Sequence, residues 1–183
     1  ERKIYTQLVD WKNQKLHKPL ILNGVRQCGK TYILKEFGKR EFESLVYVSC
    51  DRNENLKAIY AGGFDTSRII QGLSALTGVD IIPGKTLIFL DEVQAFPQAL
   101  EALKYFCEDA PEYHIVVAGS LLGVALHTGV SFPVGKVQTM RLFPMDFEEF
   151  LMAMGENQLL KLMHSKDYEL MNAFHEKLKD YLR

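Results

Sequence analysis

Gly24-Val25-Arg26-Gln27-Cys28-Gly29-Lys30-Thr31 stands between the apolar run Pro19-Leu20-Ile21-Leu22 and a segment that puts Ile33, Leu34 and Phe37 on one helical face. Short unbroken apolar runs mark strands buried on both faces of a parallel sheet. The octapeptide fits GxxxxGK[ST] at every position, in the strand-to-helix setting this pattern requires. Its residue types suit an anion. Glycine lets the backbone wrap closely around a phosphate, successive N–H groups aim at its oxygens, and the helix N-terminus adds partial positive charge. The plain alternative is a chance glycine-rich turn, and the flanking strand and helix weigh against it. Gly24, Val25, Arg26, Gln27, Cys28, Gly29, Lys30, Thr31 and the next residue, Tyr32, are therefore the expected nucleotide-binding set. Lys30 would bridge the β- and γ-phosphates, and the Thr31 hydroxyl would ligate Mg2+.

Outward from this loop, the same alternation continues. Leu45-Val46-Tyr47-Val48, Thr86-Leu87-Ile88-Phe89-Leu90, His114-Ile115-Val116-Val117-Ala118 and a run within Val137–Phe143 read as strands. Between them, Asn53–Tyr60 and Ser67–Leu76 read as short helices broken at Ala61-Gly62-Gly63. Phe96, Ala99, Leu100, Leu103, Phe106 and Cys107 follow the i, i+3, i+4, i+7 spacing of an amphipathic helix. Asp146 and Glu149 predict a capping box ahead of Phe147, Phe150 and Leu151, and a last helix is predicted from Tyr168 to Leu182. Strand and helix in alternation predict an α/β fold, a parallel sheet covered on both faces. Ligands in such sheets bind at the carboxyl ends of strands, where each polar cluster of this chain falls.

Asp91-Glu92 closes the apolar strand Leu87–Leu90. In a P-loop fold an acidic residue there reaches the magnesium, and a following Glu can take a proton from the attacking water. Solvated charges at a strand end are the bland reading, and the loop at 24–31 favours the functional one. Thr31 and Asp91 are thus the expected metal residues, and Lys30 and Glu92 expected catalytic ones. Ser120, after Ala118-Gly119, would sense the γ-phosphate or orient water; otherwise Gly-Ser is an ordinary turn. Arg26 and Arg141 are candidates for a phosphate contact, against the commoner role of structural ion pairing. Cys28 beside the helix N-terminus is either a reactive thiol or a small residue that fits. Gln94 either contacts the site or caps the turn before Pro97. The five histidines show no metal-ligand spacing.

Composition removes other classes. The 183 residues are 47% hydrophobic and 25% charged, with thirteen Gly and six Pro, which excludes disorder and collagen-like repeats. A net charge of −1 does not indicate a globally basic nucleic-acid binder. Three cysteines form no CxxC pair, and no apolar run approaches the length of a membrane helix. A reduced, cytoplasmic setting is expected, without membrane partners.

Taken in order, the 24–31 loop, Phe89-Leu90-Asp91-Glu92-Val93-Gln94, Ala118-Gly119-Ser120-Leu121-Leu122-Gly123, Ser131-Phe132-Pro133-Val134-Gly135-Lys136 and Phe143-Pro144-Met145-Asp146-Phe147-Glu148-Glu149-Phe150 resemble the prokaryotic AAA-type P-loop ATPases that usually carry an uncharacterised C-terminal domain. The resemblance spans nearly the whole chain. It implies a five-stranded parallel sheet of the additional-strand type, binding of Mg·ATP and its hydrolysis to ADP. Residues 1–145 would be the ATPase core, and 146–183 a helical segment leading to a lid or C-terminal domain. Any second-sensor arginine of that domain would lie beyond this chain.

Three functions of different class follow. The first is Mg2+-dependent ATP hydrolysis by Lys30, Thr31, Asp91 and Glu92. The second is a nucleotide-dependent switch with little turnover, acting on a protein partner, the C-terminal domain or a second copy of the chain. The third, direct nucleic-acid binding through Trp11, Lys12, Lys15 and Lys18, ranks last and is not indicated for this segment. Tyr5–Trp11 is also a candidate lining for a base pocket.

Overall fold

The computed structural model describes residues 2–119, 133–174, 179 and 181. Five segments form strands: β1 (Leu20–Gly24), β2 (Ser44–Ser49), β3 (Thr86–Asp91), β4 (His114–Gly119) and β5 (Gln138–Leu142). They pair in parallel in the order β2-β3-β4-β1-β5. β4 thus lies between β1, which leads into the glycine-rich loop, and β3, which ends on Asp91. That insertion is the additional-strand arrangement, so the expected α/β sheet is present.

Side chains alternate across each strand, and the two sets meet two layers of helix. On one face Ile21, Val46, Ile88, Leu90 and Val117 pack with α3 (Glu54–Tyr60), α4 (Thr66–Thr77) and α5 (Pro97–Asp109) through Leu56, Leu73 and Leu103. On the other, Leu20, Leu22, Phe89 and Val116 pack with α1 (Ile4–Lys12) and α2 (Lys30–Glu41) through Leu8, Trp11, Leu34 and Phe37. β3 and β4 are buried at every residue, which is why their sequences read as continuous apolar runs. Each fully buried Leu or Ile contributes about 1.5–3 kcal/mol. Local chemistry sets the boundaries. Asp65 caps α4 by accepting from the amides of Ser67 and Arg68, and Gly78 ends that helix in the left-handed conformation.

Trp11 is fully buried, and its Nε1 donates to Lys18 O at 2.8 Å. Tyr5 packs edge-on against Phe37. The Tyr5–Trp11 segment is therefore core, not a base pocket. The same burial removes the aromatic from the proposed nucleic-acid segment, where Lys12 pairs with Glu41 and Lys18 Nζ donates to Gly135 O.

At the opposite end of the sheet from the glycine-rich loop, His114 starts β4 and stacks on His17 with ring centroids 3.7 Å apart. Its Nε2 donates to Lys12 O, which leaves Nδ1 buried with no partner among the described residues. Burial first, then the neighbouring His17, pushes the His114 pKa down to about 4. Because that value lies below the unfolded one, stability is complete above about pH 6.5 and is lost as pH falls through 4. A thermal-unfolding series from pH 7 to 4.5 should fall more steeply for the natural chain than for His114→Phe. Equal slopes would exclude His114 as the cause.

The chain divides into two compact units, Ile4–Pro144 and a second one joining Glu1–Lys3 to Met145–Arg183. In the second, α6 (Phe147–Ala153) begins with the expected capping box: Glu149 N donates to Asp146 Oδ1 and Asp146 N to Glu149 Oε2. Lys3 Nζ donates to Asp146 at 2.8 Å and also to Glu148, holding both carboxyls below their ordinary pKa. A helix not anticipated from sequence, α7 (Asn157–Ser165), buries only Leu159. Its apolar residues Leu159, Leu160, Leu162 and Met163 do have helical spacing, but Gly155 and Asn157 mask the start. The last described helix is α8 (Tyr168–Ala173); part of its expected extension to Leu182 lies outside the described residues.

Candidate phosphate-binding site

The parallel register brings the carboxyl ends of β1, β2 and β3 to one edge of the sheet. Gly24 is the last residue of β1, not the first of the loop. A Cβ there would sit 2.5 Å from Leu142 O and 2.9 Å from Cys28 Sγ, so only glycine lets β5 and the returning loop approach this closely. Gln27 (φ 62°) and Gly29 (φ 95°) are both left-handed, and they turn the chain back into α2. Ile33 N donating to Gly29 O is the first bond of that helix. The amides of Lys30, Thr31 and Tyr32 precede it and have no helical acceptor, which makes them a ready anion site.

Lys30 is buried, and its Nζ donates to Gly24 O at 2.9 Å and Val25 O at 2.8 Å. The ammonium therefore sits inside the curl of the loop. Thr31 Oγ1 donates to Asp91 Oδ2 at 2.7 Å, although the two are sixty residues apart. Asp91 is buried, and its other oxygen accepts from Glu92 N at 3.0 Å. Tyr47 from β2 adds a longer bond to Asp91 Oδ2, 3.4 Å. Burial, then the Asp91 charge, raises the Tyr47 pKa, so its hydroxyl stays a donor. The same two causes push the Cys50 thiol up to about 12 and keep it neutral.

A cavity of about 650 Å³ opens against these groups. Arg26, Gln27, Gly29, Lys30, Thr31 and Tyr32 form one wall, and Asp51, Glu92, Gln94 and Ala95 the other. Of the residues singled out in the sequence, Gly24, Val25 and Cys28 shape the loop without lining this cavity, and Asp91 stands behind Thr31. Cys28 is buried in the apolar core of its face. Arg141 is exposed, lies over the Phe143 ring at 5.1 Å and is absent from the cavity wall. Ser120 lies outside the described residues.

Three residues of the site were not anticipated, Tyr47, Asp51 and Ala95. Tyr47 lies within β2 and Asp51 two residues past its end, and the register that puts Ser49 opposite Asp91 brings both to the site. Strand neighbourhood of that kind is invisible in a linear reading. The ammonium of Lys35 lies 3.4 Å over the Tyr47 ring and fixes it from the α2 side. The donor set at Thr31 and Asp91 is all hard oxygen, which fits Mg2+ and not a soft metal.

A family model described as an AAA domain matches residues 16–151, well over half the chain. This chain belongs to the AAA-domain family. Its AAA domain is of the P-loop type, a class of nucleotide-binding ATPases. No curated protein sequence matches it. Among solved structures, a Walker-type ATPase of Pyrococcus abyssi is similar with a TM-score of 0.53 at 17% identity, over 87% of this chain and 59% of that one. The ORC1 protein of Aeropyrum pernix, in complex with DNA, is similar with a TM-score of 0.51 at 17% identity, over 85% and 48%. At such identity the likeness speaks to the fold alone. The chain spans about half the length of each of these two structures. No helix among the described residues is long and apolar enough to cross a membrane.

Proposed function

We propose that this AAA domain binds ATP with Mg2+ and hydrolyses it to ADP and phosphate. The observation that carries the reading is the 2.7 Å bond from Thr31 Oγ1 to Asp91 Oδ2, made beside the buried Lys30 on a cavity that Glu92 also lines. The loop amides and Lys30 bind and neutralise the phosphates. Thr31 and Asp91 would hold the metal ion, which when bound screens the phosphate charge. Glu92 takes the proton of the attacking water as the water adds to the γ-phosphorus and the ADP oxygen leaves with the bond electrons. Arg26 offers a further cation to the phosphates. Ser120 remains part of the proposal as a γ-phosphate sensor.

Residues 1–145 are proposed as the ATPase core and 146–183 as a helical segment leading to a further domain. A cytoplasmic, prokaryotic setting and assembly with a partner or a second copy complete the reading. A nucleotide-dependent switch with little turnover is the second reading, favoured by a cavity wall on which Arg26 is the one arginine among the described residues. Phosphate release from ATP, measured with Mg2+ and then with excess EDTA, separates the two. Hydrolysis predicts release that EDTA abolishes; the switch predicts ATP binding without release. Release that persists in EDTA would contradict the assignment of Thr31 and Asp91 to a metal.

A further inference from the structure

Gln94 occupies the middle of the 3-10 turn Val93–Ala95 and shares the cavity wall with Glu92, Lys30 and Thr31. Its side-chain nitrogen Nε2 donates to Glu92 Oε2. That bond orients the whole amide. An ionised carboxylate only accepts, so the NH2 end must face it and Oε1 must face away. Oε1 is consequently buried and meets no donor among the described residues. A desolvated acceptor without a partner is unfavourable, and Gln94 as a residue is only half-buried. Its inward pose therefore satisfies only the nitrogen end of the amide. What the pose accomplishes is the contact to Glu92.

Glu92 needs such a contact. Its backbone is left-handed (φ 52°, ψ 43°), an uncommon conformation for a residue with a side chain, and its amide is tied to Asp91 Oδ1. Those constraints aim the Cα–Cβ bond and leave the remaining torsions of a long carboxylate side chain open. Tying Oε2 to Gln94 removes that freedom and leaves Oε1 as the oxygen offered to a proton from the cavity.

We propose that Gln94 is the positioning residue of Glu92, holding its carboxylate in the orientation that receives the proton of the attacking water. The proposal rests on the reading of Glu92 as general base. It carries a signature that separates it from a structural role. Gln94→Met keeps length and volume while deleting both the tether and the partnerless buried oxygen. Turnover should fall about 10- to 100-fold, the loss expected when a reacting group is misplaced by roughly an ångström. ATP affinity should stay within about twofold, because the loop amides, Lys30 and Thr31 that would meet the nucleotide are unchanged. The melting temperature should hold or rise. Gln94→Glu, which keeps the shape and replaces the donor with an acceptor, should lose turnover likewise.

The experiment measures kcat, ATP affinity and melting temperature for the natural chain, Glu92→Gln and both Gln94 variants in parallel. Lower turnover at retained affinity and melting temperature supports the proposal. Release by the natural chain and loss in Glu92→Gln, but kept or increased release in Gln94→Met, overturns the positioning role and leaves hydrolysis standing. A lower melting temperature with turnover per folded molecule intact also overturns it. No release by the natural chain with ATP bound overturns the hydrolysis reading and the positioning role together.

Discussion

Lys30→Ala is expected to weaken ATP binding about 10- to 150-fold and to abolish phosphate release. The magnitude follows from losing one charge-assisted contact worth about 1.5–3 kcal/mol, at about 1.4 kcal/mol per factor of ten. A second loss compounds the first. In the structure the Lys30 ammonium also bonds Gly24 O and Val25 O, so it holds the loop in its curled shape. Alanine leaves those carbonyls to water and loosens the row of amides that would meet the phosphates. Titration with a fluorescent ATP analogue reads the affinity. Thermal unfolding with and without ATP provides the control, since ligand binding to the folded state raises its apparent stability. A variant that folds, binds ATP as tightly as the natural chain and still releases phosphate would remove Lys30 from the site.

Glu92→Gln should separate the two observables. Turnover is expected to fall about 10²- to 10⁴-fold, the range contributed by a positioned general base. Affinity for ATP should change little, because the Thr31–Asp91 pair and the loop remain. Glutamine is a mild substitution here. It has the same shape as glutamate, tolerates the left-handed backbone no worse, and its amide oxygen can still accept from Gln94 Nε2. Single-turnover phosphate release together with an ATP binding isotherm tests the pair of expectations. Unchanged turnover would take the base role away from Glu92.

The two substitutions differ because the two residues owe their positions to different causes. Lys30 is set by local chain geometry: the seven residues from Gly24 to Lys30 curl back, and the ammonium reaches the carbonyls of its own loop. Glu92 is local in its backbone, since it follows Asp91 at the end of β3, but its side chain depends on the turn that follows. Gln94 was legible as a candidate, with contact to the site or capping of the turn as equal options. Only the three-dimensional arrangement distinguishes them, by showing Nε2 on Glu92 and Oε1 on no donor among the described residues.

The elements that sequence reading missed or misassigned fail for recognisable reasons. Helix α7 carries an apolar pattern but little burial, so its periodicity is diluted by exposed Leu and Met. The Tyr5–Trp11 segment has the aromatic content of a base pocket and the spacing of a core helix; burial against Phe37 and His114 decides for the core. Arg141 falls on the edge strand β5, where its side chain finds Phe143 instead of the cavity. In each case the residue type was informative, and its surroundings were not encoded nearby.

What lies within a few residues along the chain is therefore legible in the sequence: the strand-loop-helix of the phosphate loop, the acidic pair at a strand end, and the apolar runs of a doubly covered sheet. These depend on backbone conformation and hydrophobic periodicity, which are properties of short segments. The strand order β2-β3-β4-β1-β5 is of another kind. It is set by which apolar faces pack together, and it alone brings Thr31 within 2.7 Å of Asp91, places Tyr47 on the same carboxylate and adds Asp51 to the cavity wall. Contacts between residues dozens of positions apart arise from packing of the whole core, and no local pattern carries them.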